Sequence, residues 1–413
     1  MVVKKLFQDV SLGEIFYINT KSINPGNTPN KKFWHYSIPA YDDNKEPTLD
    51  RGADIKSNKY LLETDSILVS KLNPRIKRVW KFQKSDRHEP SICSTEFMVY
   101  QPKIPNVDLE YYTQFFSSDI FQNKLLSLQN GTTGSRMRVT PSDTLSIPIP
   151  FPSINEQRKI AAILSSVDEA IEKTEDIIEQ TEKVKKGLMQ QLLTKGIGHA
   201  KFKKTEIGEI PEEWDVKTIG ELAEKIIGGG TPPREIQDYY KGKIPWATVK
   251  DITYHILDTT EEYISDKAVE NSSTNVIPAG NVIIATRIGL GKVFMNTVDM
   301  AINQDLKGII PKKELIEAEY LLWYLLSKAK KIESMGTGTT VKGIRLEQLK
   351  GIFIPIPQKN EQKKIVSILN KLEGKIANER KKHITLLSLK KGLMHVLLTG
   401  KVRVKVDDEV VSS

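Results

Sequence analysis

Two loops rich in glycine and threonine carry the residues of this 413-residue chain whose types and spacing best suit a charged ligand. They run over residues 130–138 and 336–345, and each combines small residues, hydroxyl groups and cations. Backbone amides, hydroxyls and positive charges in one loop are typical of contacts to phosphate oxygens. The cationic candidates are Arg136, Arg138, Lys342 and Arg345. A purely structural loop is an equal alternative for both segments.

Two further basic loops follow runs of alternating residues that predict β-strands. The first strand is predicted at Ser66–Ser70 and the second at residues 281–286. Loops that follow strands are common places for binding residues, because the sheet holds them in position. The candidates in these two loops are Lys71, Arg75, Lys77 and Arg78 after the first strand, and Arg287 and Lys292 after the second.

Motifs for catalysis are missing from the sequence. It contains no phosphate-binding G-x-x-x-x-G-K-[ST], no H-E-x-x-H, no G-x-S-x-G and no G-x-G-x-x-G after a strand. The Asp/Asn-Pro-Pro-aromatic signature of amino-methyltransferases is also absent, and the glycine-rich segment 228–234, expected to be a flexible loop, lacks the Lys-Ser/Thr ending of a phosphate loop. A single cysteine and six scattered histidines exclude a disulfide framework and a cysteine-based zinc site. We therefore expect a protein that binds without catalysing, with no metal or cofactor of its own.

Composition and charge agree with an ordinary globular protein. The net charge of +9 permits a nucleic-acid partner but does not require one, since a lysine-rich solvated surface would give the same value. No apolar run approaches the ~18 residues of a membrane helix, and the start of the sequence lacks the apolar core of a signal peptide. The sequence thus predicts a cytoplasmic protein without a membrane partner.

The elements that position these loops occur twice, because the chain contains an internal repeat. Residues 155–194 align with 360–399 without a gap, with 16 identities in 40 positions that concentrate at the two ends of the segment. Upstream, the Ile-Pro-Ile-Pro sequence at 147–150 recurs at 354–357. The chain is therefore two units, each a variable globule followed by a similar segment of 40 residues.

The shared segment is predicted to be a long helix. Apolar residues recur at alternating steps of three and four, as in a coiled coil, although polar residues interrupt both seams. Asn155 and Asn360 are candidate N-caps, and Ser153-x-x-Glu156 has the pattern of a capping box. Helices that pack only on their own globules are the alternative. Two copies of equal length favour an antiparallel pair, because the short linker after the first helix allows the second to return.

An antiparallel pair would place the start of one helix beside the end of the other. The repeated residues would then form two equivalent composite surfaces, which suit two copies of one partner. The predicted docking residues are those of the repeated ends: Asn155, Glu156, Gln157, Lys185, Lys186 and Leu188 in the first copy, and Asn360, Glu361, Gln362, Lys390, Lys391 and Leu393 in the second.

Each globule mixes strands with a helix near its end, so the predicted fold class is α+β. The helices are expected at residues 108–126 and 314–331, and the apolar run at 320–326 is expected to be core. The predicted segments are a globule at 1–152, a helix at 153–195, a linker at 196–206, a globule at 207–357, a helix at 358–399 and a tail at 400–413.

This ordered set of features resembles the specificity subunit of type I restriction–modification systems. The resemblance covers nearly the whole chain and rests on the repeated Ile-Pro-x-Pro, Asn-Glu-Gln and Lys-Lys-Gly-Leu-Met…Leu-Leu-Thr sequences. It implies two α/β target recognition domains, each of which reads half of a bipartite site in double-stranded DNA. It also implies that the helices act as a ruler and bind two methyltransferase subunits, with restriction subunits as further partners. S-adenosylmethionine, ATP and Mg²⁺ would then belong to those partners alone.

Two other classes of function stay open at this stage. A stand-alone duplex-DNA-binding protein such as a repressor is the main alternative, although no helix-turn-helix is evident and dimeric repressors use two copies of one globule. A nuclease with its own active site is the third. Because the two globules differ in sequence, the leading interpretation predicts an asymmetric target with two unlike half-sites.

Overall fold

The computed structural model describes residues 7–130, 137–337 and 342–406. The chain forms two compact units. Unit 1 contains residues 1–175 and 381–413, and unit 2 contains residues 176–380. The boundaries fall inside the two long helices, so each unit contains one half of both.

Unit 1 is built from short strands and helices around two sheets. Its strands are β1 (Asp9–Ser11), β2 (Phe16–Asn19), β3 (Ser22–Ile23), β4 (Lys32–Tyr36), β5 (Thr48–Arg51), β6 (Lys59–Leu62), β7 (Ser66–Ser70), β8 (Val79–Phe82), β9 (Ser91–Ser94), β10 (Phe97–Pro102), β11 (Gln129–Asn130), β12 (Arg138–Val139) and β13 (Pro148–Pro150). Its helices are α1 (Leu12–Ile15), α2 (Ile38–Asp43), α3 (Leu109–Ser117), α4 (Asp119–Ser127), α5 (Pro141–Thr144) and the first half of α6 (Ile154–Lys195), together with the second half of the last helix, α12 (Lys359–Leu397).

The central sheet of unit 1 has the order β2-β10-β7-β8 and is antiparallel throughout. A second sheet has the order β3-β6-β9-β4-β5, in which only β4 and β9 run parallel. Strand β7 is buried at all five positions, which confirms the strand predicted there.

Unit 2 repeats this plan with different details. Its strands are β14 (Phe202–Thr205), β15 (Gly208–Pro211), β16 (Asp215–Thr218), β17 (Ala223–Gly228), β18 (Ile244–Ala247), β19 (Ile256–Leu257), β20 (Tyr263–Ile264), β21 (Asn275–Ile277), β22 (Val282–Ala285), β23 (Val293–Asn296), β24 (Met300–Ile302), β25 (Leu306–Pro311) and β26 (Phe353–Ile356). Its helices are α7 (Ile219–Leu222), α8 (Asp266–Glu270), α9 (Ala318–Ser327), α10 (Ala329–Ser334), α11 (Leu346–Lys350) and the first half of α12 (Lys359–Leu397), together with the second half of α6.

The central sheet of unit 2, β17-β25-β22-β23-β19, contains the same four-strand order as the sheet of unit 1 and adds β19 at one edge. A second sheet has the order β20-β18-β24-β21. The run 320–326, predicted to be core, lies in α9, and residues 320–325 are buried against the central sheet. The α+β class is confirmed in both units.

The repeated Ile-Pro-Ile-Pro sequence forms an edge strand in each unit. Strand β13 pairs antiparallel with β1, and β26 pairs antiparallel with β16. Proline is tolerated there because an edge strand leaves some of its N–H groups outside the ladder. The short helix after β1 and the one after β16 each begin with a capping box, in which Glu14 and Glu221 reach back to the capping residue. The repeat thus fixes how the chain enters and leaves each globule.

The long helices pack as antiparallel halves inside each unit. In unit 1, Glu175 bonds His383 at 2.8 Å and Asp168 pairs with Lys390 at 2.5 Å. The lower residue number on α6 pairs with the higher residue number on α12, so the two helices run in opposite directions. In unit 2, Lys185 with Glu373 at 2.7 Å is the counterpart of the Asp168–Lys390 pair, and Glu182 pairs with Arg380 at 2.5 Å. The predicted antiparallel pairing is therefore confirmed within each unit, and so is the internal repeat.

The hydrophobic core of each unit receives side chains from both helices. Ile160 and Leu164 join Leu397 and Leu398 in the core of unit 1. The equivalent residues, Ile365, Leu369, Leu192 and Leu193, do so in unit 2. Full burial of one such side chain stabilises a fold by roughly 1.5–3 kcal/mol, so these residues anchor the helix ends on the globule.

Two polar residues of the helix seams are buried without a cross-helix hydrogen bond among the described residues. The Thr174 hydroxyl donates to the Ala170 carbonyl at 2.7 Å, and the Thr181 hydroxyl donates to the Ile177 carbonyl at 2.6 Å. A bond to the carbonyl four residues earlier satisfies a buried hydroxyl locally. The seam therefore tolerates threonine without a polar partner on the other helix.

Several local predictions need correction. The helix N-cap is Ser153, which forms the predicted capping box with Glu156, whereas Asn155 and Asn360 lie within the first turns of α6 and α12. The helix expected at 108–126 is two helices, because the Ser118 side chain caps α4 and interrupts the run. The segment expected at 314–331 is likewise divided, into α9 and α10. Among the described helices, none is both long and apolar enough to cross a membrane.

Candidate nucleic-acid interface and docking surfaces

In unit 1 the basic loop after β7 lies against the segment around β12. The Val139 amide donates to the Lys71 carbonyl at 3.1 Å, and the Asn73 amide donates to the Met137 carbonyl at 2.8 Å. Asn73 has a positive φ of 46°, a conformation that asparagine tolerates better than most residues. These bonds bring Lys71 and the loop that carries Arg75 beside Arg138.

The cations of this surface are not equally free. Lys71 and Arg75 have no ion pair among the described residues, and Arg75 is exposed. Lys77 pairs with Asp119, and Arg138 makes a two-pronged contact with Glu96 at 2.9 and 3.2 Å. Arg136 lies outside the described residues. Lys71 and Arg75 are therefore the cations most available to a ligand.

Arg78 is a correction to the predicted set. It is only 8% exposed, and its guanidinium holds Asp42 through bonds of 2.7 and 2.8 Å. The hydrogen bond from Arg78 lowers the pKa of Asp42, despite the opposing effect of partial burial. A guanidinium that is buried and already paired in this way stabilises the globule and is not available to a ligand.

Unit 2 joins its two predicted loops in the same manner. The Ile344 amide donates to the Thr286 carbonyl at 2.8 Å, and Thr337 bridges Gly343. A Cβ on Gly336 would lie 2.3 Å from the Leu290 side chain, so glycine permits the close approach. The exposed cations Arg287, Lys292, Lys342 and Arg345 thus come from segments that meet. Of these, Arg287 is paired, with Asp305 at 3.5 Å.

The two glutamines of the predicted docking set hold the helices to their globules. Gln157 is buried, accepts from the Asp108 amide at 2.8 Å, and donates to the carbonyls of Asn106 and Pro152. Gln362 is buried in unit 2 and makes the same pattern: it accepts from the Glu317 amide at 2.8 Å and donates to the carbonyls of Leu315 and Pro357. Neither side chain is accessible to a partner, so their place in the docking set is corrected.

The two glutamates are also engaged within the chain. Glu156 accepts bonds from Ser153 and from Arg403. Burial alone would raise the pKa of Glu156, but the bonds from Arg403 and Ser153 together lower it. Glu361 accepts from the Ile197 amide at 2.9 Å, from the Trp214 indole at 3.0 Å, and bonds the His199 ring at 2.9 Å. Both carboxylates lie in the first turn of a helix, where a negative charge is favourable.

The lysines and leucines of the set divide into inner and outer positions. Lys185 and Lys390 form the cross-helix ion pairs described above, and Leu188 and Leu393 are partly buried against the cores. Lys186 and Lys391 are exposed. They occupy the same position of the repeat, but Lys391 also pairs with Asp119 at 3.6 Å. The two equivalent docking surfaces stay a prediction.

One feature that the sequence did not single out is a pair of exposed glycines beside these lysines. Nothing lies within 4 Å of the Cβ position of either Gly187 or Gly392. Glycine inside a helix costs about 1 kcal/mol relative to alanine, and no contact in the described chain requires it here. Asn155 and Asn360, at the other ends of the helices, are likewise not needed for the cores.

The sequence also gave no indication of a cavity of about 310 Å³ in unit 2, beside the Arg287 loop. Its walls include Thr231, Arg234 and Gln304. The glycines that precede Thr231 were expected to make a flexible loop, but a Cβ on Gly229 would lie 2.0 Å from the Ile302 carbonyl. They are required by close packing. Among the described residues no cluster of His, Cys, Asp and Glu could hold a metal ion.

Comparison with known proteins agrees with this architecture. The family model described as the type I restriction modification DNA specificity domain matches residues 4–183 and 211–387. The chain belongs to this family, that of the specificity subunits of type I restriction–modification systems. A putative type I restriction enzyme MjaX specificity subunit from Methanocaldococcus jannaschii is 32% identical over 297 residues, which cover 71% of this chain and 68% of that protein.

Two solved structures share the fold. A chain from a structure concerned with complex assembly and conformational transition of the type I R-M system has a TM-score of 0.63 at 20% identity, covering 97% of this chain and 100% of that one. The crystal structure of a type I restriction–modification S subunit from M. genitalium has a TM-score of 0.58 at 16% identity and covers 96% of both chains. At these identities the similarity establishes the fold alone.

Proposed function

We propose that this chain reads a bipartite, asymmetric target in double-stranded DNA, one half-site with each globule, and that its helix ends dock two methyltransferase subunits. Restriction subunits join that complex as further partners. The observation that carries the proposal is that each unit contains the same frame, by which we mean its halves of α6 and α12 with the buried residues that hold them to the globule. The loops of the two globules, in contrast, differ. A repeated frame suits two copies of one partner, whereas unlike loops suit two unlike DNA sequences.

The joined basic loops support a duplex-DNA ligand. Each unit brings cations from two chain segments to one surface, and Lys71, Arg75, Lys292 and Lys342 have no ion pair among the described residues. Unpaired cations gain most from phosphate, because binding does not require an existing ion pair to break. Arg138, Lys77 and Arg287 would have to exchange a carboxylate for a phosphate, so we expect them to contribute less.

The docking surfaces contain fewer of the repeated residues than the sequence predicted. Glutamine, glutamate and leucine repeats are explained by contacts inside each unit. The repeated positions that internal packing does not require are the exposed pairs Lys186 with Lys391 and Gly187 with Gly392, together with the half-buried Asn155 and the exposed Asn360. Of these, Lys391 also pairs with Asp119 at 3.6 Å. We assign partner contacts to these positions, since an exposed helical glycine lets a partner approach the backbone closely.

The chain acts in this proposal without its own catalysis. The partners supply S-adenosylmethionine binding and adenine methylation, and the restriction subunits supply ATP- and Mg²⁺-dependent steps. In the described part of the chain, the repeated glutamines and glutamates at the helix starts make hydrogen bonds within their own unit, so their role is structural. A stand-alone repressor is the competing function, and it requires DNA binding without a methyltransferase.

Co-purification from the native host, followed by genome-wide mapping of methylated adenines, tests the proposal. We expect a methyltransferase at two copies per chain and an asymmetric target with two separated half-sites. Purified chain alone, assayed with metal ions and methyl donor, should neither cleave nor methylate DNA. Sequence-specific binding without a methyltransferase would favour the repressor, and cleavage by the chain alone would favour a nuclease.

A further inference from the structure

The cavity of about 310 Å³ in unit 2 holds one exposed amide side chain on a rigid turn. Gln304 lies between two buried polar residues, Asn303 and Asp305. The Leu306 amide donates to the Asn303 carbonyl at 3.2 Å, and the Asn303 side chain accepts from the Asp305 amide at 3.1 Å. The Asp305 carbonyl accepts in turn from the Thr286 amide at 2.8 Å. These bonds fix the turn from both sides and leave Gln304 as its one exposed residue.

A second segment holds the amide itself. The Thr231 hydroxyl donates to Oε1 of Gln304 at 2.6 Å. Thr231 is brought there by the glycines before it: the Gly230 amide donates to the Ile302 carbonyl at 3.0 Å, and a Cβ on Gly229 would clash with the same carbonyl. The Nε2 hydrogens of Gln304 have no partner within the part of the chain that the structure describes. The amide is therefore oriented and still able to donate.

The chemistry of the walls favours a base edge over a phosphate. A phosphate would be met by donors alone, whereas this cavity offers both donors and acceptors. Two of its acids are already neutralised, since Arg234 bonds both oxygens of Glu262 and Arg287 pairs with Asp305. The Glu261 carboxylate stays available as an acceptor, and Oε1 of Gln304, which already accepts from Thr231, keeps a second lone pair for another bond. A mixed set of this kind matches the donor and acceptor pattern of bases in the major groove.

The cavity also adjoins the surface assigned to DNA. Its wall includes Ile288, the residue after Arg287, which is 56% exposed. A base edge that enters here would keep its phosphates within reach of the cationic loop. No equivalent of the Thr231–Gln304 pair is repeated in the sequence of unit 1, as expected for a device that distinguishes one half-site from the other.

We propose that Gln304, positioned by Thr231, determines one base pair of the half-site read by unit 2, and that this base pair is A·T. Glutamine can pair with adenine through two bonds, donating to N7 and accepting from N6. The inference rests on the proposed DNA-reading function and adds the residue and base that it uses. Gln304 would touch the base, and Thr231 would act through Gln304.

The test uses the full chain in complex with its methyltransferase subunits. Binding and methylation are measured on a panel of duplexes in which each base pair of the mapped target is changed singly. We expect Gln304→Ala to reduce discrimination by about 5- to 100-fold at one A·T pair of one half-site. Discrimination at every other position, and the other half-site, should be unchanged. Thr231→Val should reduce discrimination at the same base pair by a smaller factor.

Gln180→Ala is the matched control, because Gln180 is an exposed glutamine of unit 2 on α6 and remote from the cavity in sequence and element. A wild-type complex without sequence preference would overturn the proposed function itself. A specific wild-type complex with an unchanged discrimination profile in Gln304→Ala would overturn the inference alone. Uniform weakening on all duplexes would also overturn it, because that pattern belongs to a phosphate contact or to loss of structure. An unchanged Thr231→Val would overturn the positioning role.

Discussion

The start of the long helix is held in almost the same way in units 1 and 2, whereas the loops that face a ligand share very little. Gln157 and Gln362 make equivalent sets of three hydrogen bonds, and Lys390–Asp168 has its counterpart in Lys185–Glu373. A buried residue of this kind cannot change without loss of a contact in its own unit. Exposed loops are under no such restraint. The comparison therefore assigns a structural role to the frame and ligand specificity to the loops.

The glutamates next to these glutamines show where the two units diverge within the frame. Glu156 is held by Arg403 from the tail, while Glu361 is held by Ile197 and His199 of the linker and by Trp214. In both units the donor segment follows the end of the other helix. A buried carboxylate must be matched by donors, but different residues can supply them. The same charge is thus retained while its partners vary.

The largest expected effect is loss of one frame glutamine. Gln157→Ala should lower the free energy of unfolding of unit 1 by about 3 kcal/mol, because it leaves the part-buried Asp108 amide without an acceptor and two carbonyls without a donor. Gln362→Ala should do the same in unit 2. Denaturant unfolding with hydrogen exchange of residues 103–117 and 312–327 measures each unit separately.

Gln180→Ala again provides the control, since it removes an exposed glutamine from the same helix. Its unfolding free energy should stay within about 0.5 kcal/mol of the wild type. If Gln157→Ala and Gln362→Ala lower the unfolding free energy by very different amounts, the two frames have the same geometry but do not contribute equally to stability.

Much of the frame follows from the sequence, since the repeat and the heptad pattern give the helices, their pairing and the α+β class. The roles of the repeated residues do not follow. Asn-Glu-Gln at the start of an amphipathic helix looks like exposed polar surface, and only the fold shows that Gln157 turns inward and holds Asp108, the residue that caps α3. Arg78 could not be separated from Arg75 either, because burial depends on Asp42, a partner 36 residues away.

The cavity of unit 2 could not be predicted for the same reason. Thr231 and Gln304 are 73 residues apart and meet only because strands β17 and β25 pair. The one available signal was the glycine run at 228–230, whose meaning is close backbone approach. Because the sequence does not show which segment packs against these glycines, the run predicts a flexible loop equally well.

The next prediction separates a DNA-facing cation from a structural one in the same loop. Arg75→Ala should reduce the slope of log affinity against log salt by about one and leave stability unchanged, as expected for one phosphate contact. Arg78→Ala should lower the unfolding free energy by about 1–2 kcal/mol, since Asp42 loses its two bonds, and should leave the slope unchanged. Salt titrations of DNA binding measure the slope, and thermal unfolding measures the stability. If Arg78→Ala changed the slope and Arg75→Ala changed the stability, the DNA-reading surface would lie elsewhere.

A smaller effect should distinguish partner contacts from internal packing on the helices. Replacing both Gly187 and Gly392 by alanine should stabilise the chain by up to about 1 kcal/mol per site, because nothing in the described chain lies near the new methyl groups. The same variant should bind methyltransferase several-fold more weakly. Gly374→Ala is the control, since this exposed helical glycine has no repeated counterpart and should stabilise without weakening binding. Unchanged partner affinity in the double variant would remove the glycines from the docking surface.

The smallest expected effect concerns the two glutamate networks and their dependence on pH. The pKa of Glu156 is lowered in the folded chain, so its carboxylate stabilises unit 1 above the unfolded pKa of about 4.3, and this contribution disappears as the pH falls through the lower folded value. Arg403→Met removes one of the lowering contacts. Because Arg403 is about half exposed, we expect it to destabilise unit 1 by only about 0.5 kcal/mol near pH 7, with the difference from wild type narrowing towards pH ~3. Unfolding or hydrogen exchange between these pH values measures the narrowing. In a Glu156→Gln background the Arg403→Met difference should no longer depend on pH; a difference that narrows there as much as in the wild type would show that another group, not the Glu156 carboxylate, is the titrating partner of Arg403.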